Sequence, residues 1–197
     1  MTGRRGKNAL IFVSLVVAAL VLTSWTQTWF TVDIGAGFAT RLVTVDGSKA
    51  APALTALALS ELVLLLALAI AGPVFRIVLG VIQGLVGVAI IASAASSLAD
   101  PLTVSEGAIT KATAISGHAS IVRLVGGRVT ASAWPVVSLV AGVLLILLAV
   151  AIIISSRSWP NSTSRKYTRV APAPTERTAV DDWDSLSDGD DPTGDSR

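Results

Sequence analysis

The chain has 197 residues, 52% hydrophobic and 14% charged, and its apolar residues gather in four blocks at about 9–25, 51–71, 74–98 and 134–155. The segments between them are too short to bury that much apolar surface, which excludes a soluble domain built on buried helices. With no cysteine, disulfide frameworks, thiol nucleophiles and Cys-based zinc or iron–sulfur sites are excluded as well. The net charge of +2 hides an uneven distribution: Glu176, Asp181, Asp182, Asp184, Asp188, Asp190, Asp191 and Asp195 stand against Arg177 and Arg197, and the rest of the chain is basic.

The first block, NALIFVSLVVAALVLTSW, follows Arg4, Arg5 and Lys7. At ~1.5 Å per residue each block is long enough to cross a ~30 Å hydrocarbon layer as a helix. A cleaved signal peptide would close on an A-x-A-like site. Here Trp25 and Trp29 follow instead and suit an interfacial aromatic anchor. An uncleaved helix is expected.

The loop over 26–50 carries strand patterning, with Phe30, Val32 and Ile34 alternating with Thr31 and Asp33. ATRLVTVDG follows, rich in β-branched residues and ending in Asp46-Gly47. The second and third blocks are separated by Ala71-Gly72-Pro73. Proline cannot continue the preceding hydrogen-bond ladder and glycine readily ends a helix, so a tight hairpin is expected. Gly80 and Gly84 form a G-x-x-x-G step, a surface for close helix approach within the bundle or between protomers. In the loop over 99–133, Thr103-Val-Ser-Glu106 reads as a capping box for a short helix. IVRLVGGRVTAS reads as two strands around a Gly126-Gly127 turn. Together the two loops predict a small extracytoplasmic sheet capping the bundle.

The fourth block opens at Trp134-Pro135, with Trp134 expected as a further interface anchor. The segment 157–169 then carries Arg157, Arg165, Lys166 and Arg169, with Trp159 and Tyr167 among them. Directly after a membrane helix this pattern reads as lipid-headgroup attraction with aromatic anchors, not as a nucleic-acid site. Residues 170–197, rich in proline, turn formers and acids, are expected to be a disordered tail. Lys and Arg crowd the N-terminus, the short link at Arg76 and the segment after the fourth block. The positive-inside rule therefore puts both termini in the cytoplasm, in a multi-pass protein of the inner membrane.

Glu61 sits within ALALSELVLLLAL, near the middle of the second block. An ionised acid there costs about 3 kcal/mol on insertion scales. The ten Leu, Ile and Val residues of the block contribute about −3 to −6 kcal/mol, so the helix inserts with little margin. Counted from the Gly72-Pro73 turn, Gln83 lies at the same depth. A Glu61–Gln83 hydrogen bond across the hairpin is expected, with Ser60, Ser14, Ser93 or Ser138 in support. Three readings follow: interhelical glue, a protonatable site in a transport or proton-coupled path, and a lipid-facing acid that is tolerated or paired with another subunit. The second usually requires several intramembrane ionisable groups.

His118 is the only histidine and has neither a cysteine nor a second histidine beside it, so no metal site is expected. No nucleophile–base pair, phosphate loop or dinucleotide fingerprint is present, and neither catalysis nor a cofactor is expected.

Ser24-Trp25, Ala51-Pro-Ala-Leu-Thr-Ala-Leu-Ala-Leu after Asp46-Gly47, Ala133-Trp134-Pro135, and Arg157-Ser-Trp159-Pro160 followed by Ser164-Arg165-Lys166-Tyr167 resemble the actinobacterial tryptophan-biosynthesis-associated membrane protein family over about residues 8–169. The spacing from Trp159-Pro160 to Tyr167 is longer here, and Glu61 is not among that family's hallmarks. The resemblance implies four membrane helices and supplies no reaction, substrate or catalytic residue.

The expectation is an all-α membrane protein: a four-helix transmembrane domain over 1–156, a basic juxtamembrane segment over 157–169 and a disordered acidic tail over 170–197. Its role is that of an accessory or scaffold protein linked to tryptophan biosynthesis; the alternative is a small transporter or transporter subunit for tryptophan or a related metabolite. Its partners are membrane lipids and either a second copy of the chain or another membrane protein, with no nucleic acid.

Overall fold

The computed structural model describes residues 2–34, 41–126 and 128–156. The basic segment with Arg157, Trp159, Arg165, Lys166, Tyr167 and Arg169, and the acidic tail, lie outside the described residues. In chain order the elements are α1 (Thr2–Thr26), β1 (Thr28–Ile34), β2 (Arg41–Asp46), α2 (Gly47–Ala50), α3 (Ala53–Ile70), α4 (Pro73–Ala99), α5 (Pro101–Thr113), α6 (His118–Val125), β3 (Val129–Ala131) and α7 (Trp134–Ser155). Four of these are long and apolar enough to cross a membrane: α1 from Arg5, α3, α4 and α7.

The long helices bury one stripe each and expose apolar side chains elsewhere. On α3 the buried positions are Leu54, Ala58, Glu61, Leu65 and Leu68, the i, i+4, i+7 spacing of a single helix face. Leu59, Val63, Leu66 and Ile70 point outward, Ile70 being 83% exposed. On α4 the inward stripe includes Arg76, Gln83 and Ser97, while Val74, Phe75, Val81 and Leu85 face out. Polar groups inside and aliphatic groups outside are the distribution expected where lipid is the solvent.

The bundle closes as a ring. α1 packs against α3 and α7, and α4 packs against α3 and, most extensively, α7. The expected turn between α3 and α4 forms at Ala71 and Gly72. Gly72 is the N-cap of α4 and Pro73 occupies its first turn, where the missing proline N–H would have had no helical partner.

At one end sits a cap. β1 pairs antiparallel with β2 on one side and β3 on the other, in the order β2-β1-β3. Val32, Ile34 and Val43 from the sheet meet Ile109 of α5 and Ile121 and Val125 of α6 in a small core of their own. Phe30, Val32 and Ile34 are buried as their alternation predicts. Trp29 is buried as well, because the pairing with β2 shifts register between Thr28 and Phe30. An extra residue in one strand of a ladder breaks the alternation and turns two successive side chains to one side.

Two local expectations are corrected. IVRLV is not a strand: His118–Val125 forms helix α6, with Ile121 and Val125 buried one turn apart. Gly126, at φ +58°, takes the left-handed conformation that stops a helix, so the glycine ends α6 instead of turning a hairpin. Val129–Ala131, after it, does form a strand, paired with β1. The capping box at Thr103 is also displaced. α5 begins at Pro101, and the N-cap is Asp100, whose carboxylate accepts from the Thr103 N–H at 3.1 Å and the Thr103 hydroxyl at 2.6 Å. Proline favours the first helical position, which sets the cap one residue before it.

Candidate functional site

Three of the four spans place a polar side chain in the middle of the bundle: Ser14 on α1, Glu61 on α3 and Gln83 on α4. Ser14 and Glu61 are 0% exposed and Gln83 is 1% exposed. The expected Glu61–Gln83 hydrogen bond does not form. Gln83 Nε2 donates instead to Ser14 Oγ at 3.2 Å, across the ring from α4 to α1. Both carboxylate oxygens of Glu61 are buried and accept no hydrogen bond. Equal depth on a hairpin brings two residues to one level, but which side chains meet there depends on how the helices rotate about their axes, and that is set by packing against α1 and α7.

The level is defined by two registers. Glu61 and Gln83 stand at equal residue counts on either side of Gly72. The Lys7 ammonium donates to the Ala69 carbonyl at 2.5 Å, linking the starts of α1 and the hairpin. Going up α1 to Ser14 and up α3 to Glu61 covers nearly the same rise, within about 2 Å. The fourth helix contributes only apolar groups to its buried stripe at this depth, Leu145 and Ala149.

Towards the cap the bundle is closed by a second polar cluster. Ser138 Oγ donates to Ser24 Oγ at 2.8 Å, Ser24 Oγ donates to the Trp134 carbonyl at 2.9 Å, and Trp29 Nε1 donates to the Ser24 carbonyl at 2.8 Å. Ser97 Oγ donates to the Ala50 carbonyl at 2.7 Å, joining α4 to α2. Trp29 is thus a core residue, 0% exposed, and not the interfacial anchor expected from its position after the first span: the strand bulge swings it inward. Trp25 and Trp134 are half-buried near the cap and pack against the main core.

Gly80 and Gly84 both face α7. A Cβ at Gly80 would come within 2.8 Å of Ile153, and one at Gly84 would sit 3.7 Å from the Ala149 Cβ. The closest backbone approach lies one turn further on, between Gly87 and Gly142. Gly142 stands alone in an aliphatic run, and only the structure shows what it meets.

In the cap, Glu106 Oε1 and His118 Nδ1 are in direct hydrogen-bonding contact between α5 and α6. No group of three or more potential metal ligands occurs among the described residues. The residues that sequence reasoning passed over as buried polar groups are Ser24 and Ser97, each buried in its span. Their signal was a small polar residue on the inward stripe of an apolar span, a position where a hydroxyl needs a partner.

Neither a curated protein nor a solved structure matches the chain. A family model does match, over residues 11–193, a range that takes in nearly all of the four apolar helices and the whole of the cap. By that match the chain is a multi-pass membrane protein belonging to the tryptophan-associated transmembrane protein family.

Proposed function

We propose that this chain is a non-catalytic accessory protein of the cytoplasmic membrane that serves tryptophan biosynthesis, with both termini cytoplasmic and the cap on the outer side. The family match supports the link to tryptophan. The orientation is supported by the positive-inside rule, since Arg5, Lys7 and Arg76 lie near the end of the bundle opposite the cap.

The observation that carries the accessory reading is how the spans are joined. Direct hydrogen bonds run from Ser24 to Ser138, from Ser97 to Ala50 and from Gln83 to Ser14, and the backbones of α4 and α7 touch at Gly87 and Gly142. Such contacts lock neighbouring helices together, and they suit a platform that holds a partner better than a bundle that must open. The partner is another membrane protein or a second copy of the chain, in a shell of lipid.

The test is a pair of measurements. Reconstituted into proteoliposomes, the full chain moves no more labelled tryptophan than empty vesicles do, and crosslinking in native membranes captures a protein of tryptophan metabolism. Tryptophan flux that disappears in Glu61→Gln would overturn the accessory role and establish the transporter reading in its place.

A further inference from the structure

We propose that Glu61 is a proton-binding site inside the bundle, with Ser14 and Gln83 as the polar lining of its level. The side chain is 0% exposed, and neither oxygen accepts a hydrogen bond. An ionised carboxylate in that position would have lost its water and gained no hydrogen bond in return. Binding one proton removes the charge: the carboxylate and H⁺ combine to a carboxylic acid, with no other bond broken and no change of oxidation state. The acid then has one O–H to donate. Gln83 brings an amide oxygen and Ser14 a hydroxyl oxygen to the same level of the bundle.

The charged groups on the surrounding helices stand about two turns or more along the helix axis from the site. On α1 they are Arg4, Arg5 and Lys7, and Lys7 is held at the Ala69 carbonyl, eight residues or ~12 Å down α3 from Glu61. On α4 the charged group is Arg76, about two turns or ~10 Å below Gln83. The rest of α3, and all of α7, carry no ionisable side chain. The ligand is a proton because the level is poor in oxygens for anything else. A hard metal cation takes about six or more, whereas Ser14, Glu61 and Gln83 offer fewer side-chain oxygens than that.

The chain has three glutamates, Glu61, Glu106 and Glu176, and this makes the test direct without altering the site. The full-length Glu106→Gln, Glu176→Gln chain, carrying carboxyl-¹³C glutamate and held in lipid nanodiscs, has Glu61 as its one labelled carboxyl. We expect its infrared and NMR signals at neutral pH to be those of an un-ionised acid. Replacing Gln83 by Leu in the same background moves the C=O stretch of that acid, a readout that a merely structural amide would not move. A labelled carboxyl that is ionised at neutral pH overturns the proposal, and an acid band unmoved by Gln83→Leu overturns the part of it that assigns Gln83 to the site. Neither result depends on tryptophan flux, so the site and the accessory role fail separately.

Discussion

Gly87 of α4 and Gly142 of α7 face each other so closely that a Cβ on Gly87 would lie 2.8 Å from the Gly142 carbonyl oxygen, and one on Gly142 would lie 2.9 Å from the Gly87 carbonyl oxygen. Both obstacles are backbone, which cannot swing aside as a side chain can. Gly87→Ala therefore forces α4 and α7 apart and destabilises the bundle by about 1–3 kcal/mol, the usual cost of overpacking. Gly84→Ala, whose new Cβ would meet Ala149 at 3.7 Å, leaves stability nearly unchanged. Reversible unfolding of the two variants in the same detergent–lipid mixture compares them; equal stabilities would contradict the close approach.

Trp29 behaves as a core residue. Its ring packs edge-on against Phe30, with centroids 6.4 Å apart, and its N–H donates to the Ser24 carbonyl. Trp29→Phe removes one of the two donors to that carbonyl, the Gln27 N–H at 3.1 Å being the other, and costs about 1 kcal/mol; Trp29→Ala removes the packing too and costs about 3–5 kcal/mol. In a chain with Trp29 as its single tryptophan, neither aqueous quencher nor brominated lipid reduces the fluorescence. Strong quenching by either would place the ring at an interface.

Asp100 makes the start of α5 sensitive to acid. The Thr103 hydroxyl, then the Thr103 N–H, hold its carboxyl below the ordinary aspartate value. A group depressed in the folded state stabilises fully above its unfolded value and loses that contribution as the pH falls through the folded value. Hydrogen exchange at the first amides of α5 is therefore slow and pH-independent, after correction for intrinsic rates, down to the normal aspartate range, and it accelerates below that. Asp100→Ala gives fast exchange at every pH; protection unchanged in that variant would remove Asp100 as the cap.

The membrane topology can be read by chemistry that the chain leaves clean, since it has no cysteine of its own. Single cysteines at the exposed positions Gly72 and Ser116 are expected on opposite faces of the membrane, Gly72→Cys reacting with an impermeant maleimide only after the cytoplasmic face is opened. Labelling of both from one side would refute the four-span arrangement.

The sequence by itself determined the four spans, the hairpin at Gly72-Pro73 and the existence of a folded cap. These follow from short-range physics. A run of about twenty apolar residues must be a helix in lipid, proline must end a hydrogen-bond ladder, and alternation in Phe30, Val32 and Ile34 reports a half-buried strand. That Glu61 and Gln83 stand at equal residue counts from one turn was legible for the same reason.

Which groups meet was decided only in three dimensions. Gln83 reaches Ser14 and leaves Glu61 without a hydrogen bond because helix rotation is set by contacts between spans far apart in sequence. Apolar spans with little variation around their circumference give few clues to it. Gly142 matters through Gly87, and Trp29 turns inward through a bulge in its pairing with β2. Each is a property of two elements at once, and neither element carries it alone.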